Sequence, residues 1–139
     1  MPNVAGRILL AFLCLALGAR NAVAQTANRW LLLDNGDPTL ALDTTTLTRS
    51  QDGFPRAWLR MTYKSPQGTE DKKYTSTMVR SDFNCRKRQF NAVETIQYAP
   101  NGDVVLDSKQ PFPQWTEVVP ESTGESVLNA FCKTPFARL

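Results

Sequence analysis

The chain has 139 residues, of which 42% are hydrophobic, 21% are charged and none is histidine. Its 16 Lys and Arg against 13 Asp and Glu give a formal net charge of +3. Without histidine there is no imidazole triad or dyad and no His-based zinc site, and so small a net charge gives little footing to a general nucleic-acid role.

The first segment reads as a targeting signal. Arg7 precedes "ILLAFLCLAL", and the sequence Ala22-Val23-Ala24 closes the segment before Gln25. A basic start, an apolar middle of roughly 7 to 15 residues and an A-x-A ending make a secretory signal peptide, whereas a bilayer span takes about 20 apolar residues. The competing reading is a buried first helix. The expected division is a signal peptide at 1–24 and a single domain at 25–139, with no integral membrane segment after signal removal. Cys14 does not mark a lipid anchor, because Phe12 and Leu13 stand where small residues are wanted and the cysteine lies inside the apolar run. Arg7 and Arg20 leave with the signal, so fourteen basic residues face thirteen acidic ones and the net charge falls to +1. No repeat, low-complexity tract or Pro/Gly-rich linker divides the remainder, which is long enough to bury a core.

From there alternation dominates. "RWLLLD" (29–34) is a short apolar run ended by the turn signal "NGDP", and "TLALD" (39–43) follows as a second strand. "RAWLRMTYK" (56–64) places Ala57, Leu59, Met61 and Tyr63 on one side and Arg56, Trp58, Arg60, Thr62 and Lys64 on the other, the pattern of a half-buried strand. "SPQGTEDK" (65–72) reads as a hairpin connection and "KYTSTMVRSDF" (73–83) as the returning strand. "NCRKRQFNAVETIQY" (84–98) is expected to be one long or bent strand. Beyond the turn "APNGD", "VVLD" (104–107) is its hairpin partner. "PFPQWTEVVP" (111–120) is extended and interrupted by proline. Ser122 followed by Glu125 is a capping-box signature, and Val127, Leu128, Phe131 and Cys132 recur at helical spacing. A helix is expected from about Thr123 to Lys133, ending near Pro135. The fold class is α+β, an antiparallel sheet of about six strands with a C-terminal helix packed on it.

With Cys14 removed, Cys85 and Cys132 are the remaining cysteines. An exported chain meets oxidising conditions, and two cysteines allow one intramolecular pairing. The expected bond clamps the helix to the sheet across a loop of about 48 residues, a stabilisation of about 4 kcal/mol on the chain-entropy estimate.

From Arg29 to Lys133 the chain resembles the surface-adhesin protein E family of small exported bacterial proteins. The resemblance is carried by the order of "RWLLLD", "ALDTTTLTR", "RAWLRMTY", "YTSTMVRSDFNCRKR", "NGDVV", "WTEVVPEST" and "LNAFCK", with one cysteine after a strand and another in the terminal helix. It implies a six-stranded antiparallel sheet with a disulfide-attached C-terminal helix. It also implies an adhesin-like role toward extracellular-matrix and plasma proteins. Two features depart from the family: its namesake is lipid-anchored, and Asn84 precedes the first cysteine where Asp is frequent.

The residues singled out for ligand contact are Arg86, Lys87 and Arg88, with Arg80 nearby, and Trp58. On a regular strand Arg86 and Arg88 share a face and Lys87 points to the other. The basic run could meet sulfated polysaccharide or acidic protein patches, or serve only as a solvated face or a charge-blunted edge. Trp58 stands opposite Leu59 and Met61 and is the best candidate for an aromatic recognition anchor, whereas Trp30 and Trp115 read as core. Carboxylate pairs such as Asp43 with Asp82 or Glu94 are formally available, but nothing in the sequence brings two together. No phosphate loop, dinucleotide fingerprint or calcium loop is present. The expected function is a non-enzymatic, exported binding module that recognises an extracellular-matrix or envelope protein or glycan. It would need no cofactor and no nucleic acid, and would act in the periplasm or at the surface of a Gram-negative cell. The alternative is a periplasmic accessory protein, such as an inhibitor or envelope-assembly factor. Oligomeric state is left open.

Overall fold

The computed structural model describes residues 28–138. The signal peptide expected at 1–24, with Cys14, lies outside the described residues. In chain order the elements are β1 (Trp30–Asp34), β2 (Thr39–Asp43), β3 (Thr48–Arg49), β4 (Pro55–Thr69), β5 (Lys72–Asn84), β6 (Gln89–Tyr98), β7 (Val104–Lys109), β8 (Trp115–Glu117), α1 (Thr123–Lys133) and a 3₁₀ turn (Pro135–Arg138).

One antiparallel sheet runs β1-β2-β4-β5-β6-β7, with β3 added on β4 and β8 on β6, so it has eight strands rather than about six. The two additional strands have two and three residues. Neither is long enough to show the period-2 alternation by which strands are read from sequence.

Alternation in β4 sets the layers as expected. Ala57 and Leu59 are buried at 0% and 3% exposure, while Trp58 and Arg60 point to the opposite side. The pairings Leu42–Leu59 and Leu59–Val79 carry the same face across β2, β4 and β5. Against it lies α1, and the core cluster is Leu42, Ala57, Leu59, Phe83, Leu128 and Phe131. Phe83 and Phe131 stack with ring centroids 3.9 Å apart. Burying each such side chain contributes roughly 1.5–3 kcal/mol, and an aromatic pair adds about 0.5–1.5 kcal/mol.

The helix begins and ends where its signals stand. Ser122 Oγ accepts from the Glu125 N–H at 3.1 Å, while the Glu125 carboxylate reaches back to the Glu121 N–H at 2.8 Å, one residue before the cap. The Thr134 N–H closes the last turn on the Phe131 carbonyl. Cys85 and Cys132 are bonded, with Cα atoms 5.8 Å apart and a sequence separation of 47.

Two connections differ from expectation. Residues 84–98 are not one strand: β5 ends at Asn84, residues 85–88 form a turn, and β6 starts at Gln89. Asn84 Oδ1 accepts from the Lys87 N–H at 3.1 Å, and Arg88 takes a positive φ of 54°. An asparagine side chain that mimics a backbone turn explains the reversal. The strand-face argument for Arg86, Lys87 and Arg88 therefore does not hold. The connection expected at 65–72 is shorter, because β4 continues to Thr69 and only Glu70 and Asp71 lie between the strands. The pairing register shifts between Thr62 and Gln67, which accommodates Pro66. Gly68 sits at φ +88°, where a Cβ would collide with the Lys72 carbonyl oxygen.

Candidate binding surfaces

The eleven-residue α1 is about 16 Å long at 1.5 Å per residue, whereas the fifteen-residue β4 runs to about 50 Å. The helix therefore covers part of one sheet face. Beyond its N-terminal end an apolar groove of about 360 Å³ lies between the helix and the sheet, lined among others by Leu59, Met61, Tyr63, Val79, Phe90 and Val127. Burial raises the Tyr63 pKa above its ordinary value of 10.0; the Thr77 hydroxyl offsets part of that shift without forming a full hydrogen bond. Sequence reasoning missed this groove, and the length mismatch between strand and helix was the signal for it.

The opposite face carries the charges. At one end, loop 50–54 and segment 110–113 fold over a buried cluster in which Asp82 accepts from Arg56 and from Asn91. The middle of this face is shielded by its own long side chains. Strand register lines up Trp58, Arg80, Glu94 and Lys109 across β4 to β7, and pairs Trp30 with Asp43 on β1 and β2. The Arg80 guanidinium lies 5.6 Å from the Trp58 ring centre and 3.0 Å from Glu94, which also holds Lys109 at 3.3 Å. Arg60 lies over Trp30 at 4.2 Å. Such contacts contribute about 0.5–1 kcal/mol each when exposed and fix the planes of ring and guanidinium.

Trp58 thus stands on the face away from the helix, as its alternation required. Trp30 does not join the helix-side core; it is half-buried beneath Arg60 because β1 turns it to the charged face. Trp115 is half-buried too, edge-on to Phe54 at 4.7 Å and outside the core cluster. The sequence sets Trp30 on a strand but not on a side of the sheet, and Trp115 lies on a three-residue strand too short to read.

No two of the three carboxylates form a pair. Asp43 binds Arg29 at 2.7 Å, Asp82 binds Arg56, and Glu94 binds Arg80 and Lys109. At Asp43, burial alone would raise the pKa, but hydrogen bonds from Arg29 and Thr45 outweigh it and hold the carboxyl below 3.8. Among the described residues no group of three or more His, Cys, Asp or Glu stands where a metal ion would be held.

The basic turn lies elsewhere. Arg86 and Lys87 are exposed beside Cys85 and Ala137. Arg88 is tied to the helix, donating to Asn129 Oδ1 at 3.0 Å and to the Glu125 carboxylate. Arg80 stands four positions before Asn84 on β5, about 13 Å before the turn begins. The structure therefore does not bring Trp58 and the basic run together.

Residues 30–133 match the family described as surface-adhesin protein E. The chain belongs to the surface-adhesin protein E family. Two crystal structures of protein E from Haemophilus influenzae show the same fold. Crystal form II has a TM-score of 0.52 at 12% identity, covering 76% of this chain and 87% of that one. Protein E from the non-typeable bacterium has a TM-score of 0.50 at 12% identity, covering 82% and 84%. Identity this low speaks for shared architecture alone. No curated protein sequence matches the chain. In this family member no helix among the described residues is long and apolar enough to cross a membrane.

Proposed function

We propose that this family member is an exported, non-enzymatic binding module, adhesin-like in role, which recognises an extracellular or envelope protein or glycan through the sheet face opposite α1. One observation carries the reading. The helix is clamped to one face by the Cys85–Cys132 bond, and the other presents Trp58 beneath Arg80 and Trp30 beneath Arg60. Paired aromatics and arginines are the residue types that dominate recognition energetics. The exposed Arg86 and Lys87 form a second, separate contact patch, and Arg88 supports it by holding the turn against the helix. The signal peptide expected at 1–24 supports export, and the family supports placement at the cell surface.

The test is retention of the 25–139 domain on immobilised extracellular-matrix proteins and glycans, compared with Trp58→Ala and with the Arg86→Ala/Lys87→Ala double variant. Weakened retention by either variant supports the reading, and a salt-dependent loss confined to the double variant assigns the partner to the turn. Retention that neither variant changes contradicts it. Protease treatment of intact cells removes a surface-exposed binder; full protection favours the periplasmic accessory role.

A further inference from the structure

We propose that Arg60 is the anion-binding centre of a site for acidic saccharides, taking the sulfate or carboxylate group while neighbouring hydroxyls meet the sugar. This rests on the reading of the open face as a binding surface and names the ligand class of that face. Of the three arginines that β4 and β5 turn to this side, Arg56 and Arg80 are tied to carboxylates. Arg60 makes no ion pair among the described residues. Its guanidinium is nonetheless placed, because it lies over the Trp30 ring with its central carbon 4.2 Å from the ring centre. A guanidinium held over a ring by its central carbon keeps N–H donors for other partners, and its planar fork matches two oxygens of an anionic group.

Met78 and Ile96 stand in the Arg60 row itself, and the next row along the strands is hydroxylic. Arg60 borders a shallow depression of about 520 Å³ lined by Thr62, Ser76, Tyr98, Pro100 and Gly102 among others. Register places the three hydroxyl residues in one row, Thr62 opposite Ser76 and Ser76 opposite Tyr98. Adjacent strands are about 4.8 Å apart, so the row offers three donor–acceptor groups in line. A hydroxyl both donates and accepts, as a sugar hydroxyl does. The Tyr98 ring gives the row an apolar body at one end.

The experiment is calorimetric titration of the 25–139 domain with a sulfated glycosaminoglycan, an unsulfated uronic polysaccharide, neutral dextran, polyglutamate and sodium sulfate. Variants are Arg60→Gln, Tyr98→Phe and Arg86→Ala/Lys87→Ala, with circular dichroism to confirm folding. The expected result is binding of one or both acidic polysaccharides, weakened about tenfold by Arg60→Gln, the usual scale for losing a charge-assisted contact. Tyr98→Phe, which removes one hydroxyl and keeps the ring, weakens it about threefold. The turn variant leaves it within about twofold. Comparing the two polysaccharides assigns the anionic group as sulfate or carboxylate. Failure of both polysaccharides to bind overturns the proposal, as do polyglutamate or dextran binding as tightly and insensitivity to Arg60→Gln and Tyr98→Phe. Retention on matrix proteins that depends on Trp58 would still stand in those cases, which separates this site from the wider function.

Discussion

Cys85, at the start of the turn after β5, is bonded to Cys132 in the last turn of α1, with Cα atoms 5.8 Å apart. The bond joins the helix to the end of the strand that supplies Phe83 to the core. Replacing both cysteines with serine is expected to lower stability by about 4 kcal/mol. Urea unfolding of the double variant checks this, and an unchanged midpoint would contradict the clamp.

Phe131 is fully buried against Phe83, whereas Phe112 is 75% exposed between two prolines. Phe131→Ala should cost about 3–5 kcal/mol through lost burial and the cavity left behind. Phe112→Ala should stay within about 0.5 kcal/mol. Paired thermal melts distinguish the two, and equal effects would mean the helix packs differently.

Arg88 joins the basic turn to Glu125 on the helix, but its side chain is half-exposed at 51%. A double-mutant cycle between Arg88→Ala and Glu125→Ala should return a coupling of only about 0.3–1 kcal/mol, falling as salt rises. Zero coupling at low salt would release Arg88 for ligand contact.

Asp43 has a folded-state pKa below 3.8 because its hydrogen bonds outweigh the effect of burial. The unfolded chain therefore binds the proton more readily there. The stability contribution is present above the unfolded value and is lost as pH falls through the folded one. Acid unfolding of Asp43→Asn should show a shallower decline below about pH 4 than the parent. An identical acid limb in both proteins would contradict the assignment.

Much of this architecture is legible in the residues. Ala57, Leu59, Met61 and Tyr63 announce one face of β4, and Ser122 with Glu125 announces the start of α1. The two cysteines outside the expected signal segment, Cys85 and Cys132, admit one pairing. The turn at 85–88 is not legible in the same way, because Cys-Arg-Lys-Arg holds none of the usual Gly or Pro punctuation. Only the Asn84 side chain, bonded to the Lys87 N–H, marks the reversal. β3 and β8 fall below the length at which periodicity exists. Trp30 was misplaced because an apolar run on an edge strand does not say which side the helix will take. The Trp58–Arg80 and Trp30–Arg60 stacks depend on pairing register across separate strands, which local pattern does not contain.

The central claim is that recognition belongs to the face that α1 leaves uncovered. Side-chain oxidation footprinting of the domain, free and with a bound matrix protein or glycan, tests it most directly. The account expects Trp58 and Trp30 to be protected on binding while Met61, on the helix-side face of β4, and Val127, on α1 itself, react unchanged. Protection of Met61 and Val127 with no change at either tryptophan would contradict it.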